Sequence, residues 1–203
     1  MKKKLLLILL VSIPIILIAL VILFRITAEP TNEEIIKSLK DIKAYKTEVE
    51  FIIKNSRDEE RQNSIQYYRK DVGGKIDFGE DRTKIYKDNM VLVKDNVSNK
   101  EYTIEKGMND LYSISFLNKL LSYPISNEGL QEGQEEWGDT EYIVFTSELF
   151  LKNDNLDKVK VFIDKQNKTP IGAIIYDKNN KDRVRIVYRN FEKLKELDEE
   201  LLK

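Results

Sequence analysis

The apolar residues of this chain keep three rhythms in turn. Behind the basic stretch Met1-Lys2-Lys3-Lys4, residues 5–24 carry no charge. As a helix, this run of about 20 residues is roughly 30 Å long, the hydrocarbon thickness of a bilayer. Ser12 and Pro14 interrupt it, and lipid-embedded helices tolerate both. A helical rhythm follows. Pro30-Thr31-Asn32-Glu33-Glu34 offers a cap and first-turn acids, and Ile35, Ile36, Leu39 and Ile42 recur at helical spacing. Together they predict a helix over about 32–44.

Period two then takes over. Thr47, Val49, Phe51 and Ile53 alternate with Glu48, Glu50, Ile52 and Lys54, the mark of a strand with one buried face. After a polar turn at 55–60, strands are predicted over 64–69, 75–78, 83–86, 90–93 and 101–104, separated at Gly73-Gly74, at Lys87-Asp88-Asn89 and at 95–100. Helical spacing returns in Leu111, Ile114, Leu117, Leu120 and Leu121. It predicts a helix over about 110–122, capped by Asn109 or Asp110 and ended by Tyr123-Pro124. Residues 127–138 read as an acidic loop around Trp137. Four more strands follow at 141–146, 158–163, 171–176 and 183–188. The tail from Phe191 carries Leu194, Leu197 and Leu201 at helical spacing, and either caps the sheet or frays.

Strands joined by short turns imply one antiparallel sheet, and a sheet of so many strands curls as it twists. The expected class is α+β: an N-terminal transmembrane helix, then a curved antiparallel sheet, or half-barrel, with helices packed on its concave face. The lysines ahead of the apolar run place the N-terminus in the cytoplasm and the rest outside. The run exceeds a signal-peptide core of about 7–15 residues, and cleavage after Ala28 would set bulky Ile26 at position −3. Residues 1–28 are therefore expected to be an uncleaved signal-anchor in the cell membrane, and residues 29–203 one extracytoplasmic domain.

Composition narrows the chemistry. The chain contains neither Cys nor His, which removes thiol catalysis, Ser-His-Asp triads and histidine or thiolate zinc sites, along with disulfides and lipidation at cysteine. All four basic residues before Glu29 belong to the anchor, so the outer part has 30 basic against 35 acidic residues, a net of −5. That sign argues against nucleic acid and against anionic lipid surfaces. Gly73-Gly74 and Gly129-x-x-x-Gly133 match no nucleotide-binding motif. No cofactor, no metal and no catalytic residue is expected.

Several stretches resemble the LolA/LolB/RseB superfamily of envelope proteins. They are Ile85-Tyr86-Lys87-Asp88-Asn89-Met90 followed by Tyr102, then Val161-Phe162-Ile163-Asp164-Lys165 with Thr169-Pro170, and finally Tyr188-Arg189-Asn190-Phe191. Within it, size, membrane attachment and a Lys-, Asn- and Ile-rich composition typical of Gram-positive bacteria with AT-rich genomes look most like the clostridial GerS germination proteins. That resemblance implies a LolA-like fold, and a protein-binding role in sporulation and germination beside a cortex-modifying N-acetylmuramoyl-alanine amidase. The superfamily's other members imply the alternative, a carrier or sensor of lipid or lipoprotein. GerS proteins are acylated at a cysteine, and this chain has none.

The strand aromatics, from Tyr67 to Tyr188, line either a core or a lipid cavity. Among the acids of 128–141, Trp137 supplies an interface-type anchor. Trp137, Glu135, Glu136 and Asp139 are therefore the expected partner-binding residues. An open sheet edge offers a second way to bind, by strand addition.

Overall fold

The computed structural model describes residues 13–18, 20, 29–55, 57–87, 90–105, 111–134, 136–151 and 153–202. Contacts divide the chain into residues 1–31 and 32–203. In the first unit, residues 13–18 and 20 are helical, and Ile13, Ile15, Ile16, Leu17, Ile18 and Leu20 are each 50–60% exposed. The rest of the expected anchor lies outside the described residues. Among the described residues no helix is long and apolar enough to cross a membrane.

The second unit opens with α1 (Asn32–Lys40), whose first turn carries Glu33 and Glu34 and whose buried face is Ile35, Ile36 and Leu39. A six-strand meander follows: β1 (Ala44–Lys54), β2 (Glu59–Arg69), β3 (Gly73–Asp77), β4 (Arg82–Lys87), β5 (Met90–Asp95) and β6 (Lys100–Glu105). Two single helical turns, α2 (Leu111–Ile114) and α3 (Leu117–Leu120), lead to short β7 (Gln131–Gly133) and β8 (Glu136–Asp139). The second meander is β9 (Tyr142–Glu148), β10 (Lys158–Asp164), β11 (Thr169–Tyr176) and β12 (Asp182–Leu194), and a 3-10 turn at Glu199–Leu202 follows.

Eleven strands form one large, curved antiparallel sheet in the order β6-β5-β4-β3-β2-β1-β12-β11-β10-β9-β7. Its seam joins β1 to β12, with Val49 opposite Tyr188 and Phe51 opposite Ile186. The period-two reading of β1 holds: Thr47, Val49 and Phe51 are at most 1% exposed. One sheet face and the helical segments share a single core, in which Ile35, Leu39, Ile114, Leu117 and Leu120 join Tyr45, Phe51, Ile76, Val161 and Ile186. The opposite face carries two smaller clusters, one around Phe162 and one where Leu197 and Leu202 cover Ala44.

Several boundaries differ from expectation. α1 stops at Lys40 because Ala44 is claimed on both sides by the sheet, opposite Arg69 and Leu194. The helix expected over 110–122 is broken at Phe116, whose backbone is extended (φ −65°, ψ 127°); its expected cap residues lie outside the described residues. Gly73-Gly74 falls inside β3 instead of breaking the chain. Strand β12 runs on to Leu194, into the region read as a helical tail, and Leu202 is buried in place of Leu201. Arg69 donates to Leu197 O at 3.0 Å and holds that segment against the sheet.

Candidate functional site

The segment singled out in the sequence forms a small cover over the outer side of β9–β11. β7 pairs with β9, placing Glu132 opposite Ile143 and Gly133 opposite Tyr142. Trp137 then lies against Phe162, with ring centroids 5.3 Å apart and planes at 55°. Gly172 makes room for it: a Cβ there would stand 2.8 Å from Trp137 Cζ2. The indole is thus half-buried, and its N–H has no hydrogen-bond partner among the described residues.

The neighbouring acids are engaged. Lys160 donates to Glu136 at 3.0 Å. Glu132 accepts from Lys165 and from Asn32, both at 2.8 Å, so it ties the cover to the β10–β11 turn and to α1. The Lys165 hydrogen bond, followed by that of Asn32, holds the Glu132 carboxyl below its ordinary value. Glu135 and the side chain of Asp139 lie outside the described residues. Among the described residues, no cluster of His, Cys, Asp or Glu is able to hold a metal ion.

On the opposite side of the sheet the two helical turns pack down as a plug. Phe116 is packed among Tyr68 and Tyr86, and Leu117 and Leu120 are at most 1% exposed. A buried polar network fastens this plug. Tyr45 donates from its hydroxyl to Gln66 Oε1 at 3.0 Å and accepts the Leu117 N–H at 3.0 Å. Gln66 donates to Ser115 Oγ at 2.8 Å, and the Tyr188 hydroxyl donates to Ser115 O. Burial raises both tyrosine hydroxyls well above their ordinary value, so they remain neutral donors.

The break at Ser115-Phe116 therefore has a cause: backbone and side-chain groups freed from the helix are met by the sheet instead. Sequence reading missed Gln66 and Ser115. The available signal was parity, since Gln66 sits between Ser64 and Tyr68 on the inward-facing register of β2.

A second polar feature lies on the outer face. Glu50, 8% exposed, accepts from Arg189 at 2.6 Å and from Arg61 at 3.1 Å. Lys54 and Arg185 both reach Asp182 nearby.

Comparison with known proteins adds the following. A family model described as sporulation protein YdcC-like matches residues 2–202. No curated protein matches the sequence. An uncharacterized conserved protein from Thermus thermophilus has a similar structure, at 12% identity over 84% of this chain and 91% of that one, with a TM-score of 0.57. The LolA superfamily protein NE2245 of Nitrosomonas europaea aligns at 12% identity over 86% and 98%, TM-score 0.45. The structure of the CwlD amidase from Clostridioides difficile in complex with the GerS lipoprotein aligns at 17% over 85% and 98%, TM-score 0.39. The resemblance expected from the residues is met, since a LolA superfamily protein and GerS are among the matches. At these identities it is a likeness of fold.

Proposed function

The chain belongs to the family of YdcC-like sporulation proteins, and from that premise we propose that it is a membrane-anchored, non-catalytic binding protein whose extracytoplasmic domain holds a protein partner during spore formation. The observation that carries this reading is the plugged sheet. Phe116, Leu117 and Leu120 are buried against the sheet, and the Tyr45–Gln66–Ser115–Tyr188 network fixes them there. Binding then falls to the surface.

The anchor is supported by the uncharged run of residues 5–24 and by the half-exposed apolar side chains of residues 13–18 and 20, a surface that lipid would cover. The absence of Cys and His removes thiol and histidine chemistry from the chain. The docking face we assign is the β7–β8 cover, with Trp137 as anchor and, as its neighbours in sequence, Glu135, Glu136 and Asp139. A cell-wall amidase is the first candidate partner, as GerS is in complex with the CwlD amidase.

The test is capture of partners by the full chain from membranes of sporulating cells, compared with a Trp137→Ala, Glu136→Lys variant. One specific protein, lost with the variant, is expected. Co-purified lipid without any protein would restore the carrier reading and overturn this one.

A further inference from the structure

We propose that a cleft on the outer face of β9, β10 and β11 binds a neutral, hydroxyl-rich glycan chain. The cleft has a volume of about 460 Å³ and lies between these strands and the turn that precedes β7. That size falls in the range of roughly 300–1,000 Å³ usual for small-ligand clefts. Strand register sets its floor in two rows: Glu148, Lys158 and Tyr176 stand side by side, and Thr146 stands beside Lys160. Ser126 forms the far wall, its N–H donating to Thr146 O at 2.8 Å, and Glu128 and Gln131 line the same side.

The chemistry of this lining selects a class. The lining sets Lys158 and Lys160 against Glu128 and Glu148, and Lys160 is also bound to Glu136, so the cleft keeps no excess positive charge with which to hold an anion. It instead offers donors and acceptors in alternation, from ammonium, carboxylate, amide and hydroxyl groups, as a polyhydroxylated ligand requires. Tyr176 adds a ring beside them, and the C–H face of a sugar packs on such a ring while its hydroxyls reach the polar rim. Lys158 Nζ is 5.9 Å from that ring's centroid, so the ammonium must swing to the rim of the ring for a sugar to stack there. Ser126 Oγ is buried without a hydrogen-bond partner among the described residues, at the wall of the same cleft. The site is separate from the plugged inner face, and it does not require the protein partner proposed above.

The test uses the full chain in detergent micelles with two defined probes, chitotetraose and maltotetraose, followed by ligand-observed saturation-transfer NMR. Saturation of sugar ring protons is expected for at least one of them, with affinity about tenfold weaker in Tyr176→Ala. A smaller loss is expected in Glu148→Gln, an exposed position whose change leaves folding intact. Transfer to neither sugar overturns the proposal, as does transfer unaltered by both substitutions. If Tyr176→Ala abolishes partner capture while neither sugar binds, the cleft serves the protein partner and the glycan reading falls.

Discussion

The ring of Phe116 rests directly on Gly74: a Cβ built at that glycine would stand 2.5 Å from Phe116 Cζ. Hydrogen at this one position of β3 is what lets the plug close on the sheet. Gly74→Ala is expected to cost about 2 kcal/mol by overpacking, read from the denaturant midpoint. Phe116→Leu in the same chain should recover part of the loss. Equal stability of Gly74→Ala and the parent protein would show that the plug has slack.

Gln66 is fully buried and bridges Tyr45 to Ser115. Gln66→Leu leaves the Tyr45 hydroxyl without its acceptor and Ser115 without its donor, which predicts a loss of about 2–3 kcal/mol. A double-mutant cycle with Ser115→Ala should show coupling of about 1 kcal/mol, since both changes break the same link. Additive effects would mean that the two residues act independently.

Glu50 is held below its ordinary value of 4.5, first by the Arg189 hydrogen bond and then by Arg61, against the opposing effect of burial. A carboxyl depressed on folding contributes stability that is complete above the unfolded value and is lost as pH falls through the folded one. The stability gap between the parent protein and Glu50→Gln should therefore be widest above pH 4.5 and close on further acidification. Denaturation curves across acid pH measure it, and a gap that stays constant speaks against the assignment.

Phe150 combines a left-handed backbone (φ 50°) with 72% exposure. A bulky side chain held in that conformation stores strain of about 1 kcal/mol and gains little burial in return. Phe150→Gly should raise stability by about that amount. Strain that persists at an exposed ring points to use of the ring, so partner capture should weaken in the same variant.

Trp137 is the single tryptophan of the chain and packs over Gly172. Gly172→Ala should displace the indole and move its emission to longer wavelength. Because the new Cβ would also stand 2.7 Å from Ile186 O, the cost falls on the sheet as well. An unchanged spectrum would place the indole elsewhere.

Most strands were legible because alternation of the Val49-Phe51 kind has a single physical reading once one face is buried. The limits of those strands were not. β12 runs on to Leu194 because β1 offers it partners as far as Ala44, and no local pattern announces a partner 150 residues away in sequence. The helix expected over 110–122 had the right buried residues, Ile114, Leu117 and Leu120, but its continuity was lost to hydrogen bonds that Leu117 N–H gives to Tyr45 and that Ser115 O takes from Tyr188. For the candidate site, sequence located the Trp137 segment but did not foresee that the indole would lie on its own sheet. That depended on the bare backbone of Gly172, 35 residues further on.

The seam between β1 and β12 has a consequence for how this polypeptide is made. Each meander can zip up from its own hairpins as it emerges, but β1 keeps one flank vacant until residues near 188 arrive to meet Val49. During that wait a long, apolar strand border is on display, the kind of border that recruits neighbouring chains. Messages cut short before β12 would leave that border permanently open in the middle of the sheet, so incomplete products should clump or be degraded instead of lingering as half-working domains.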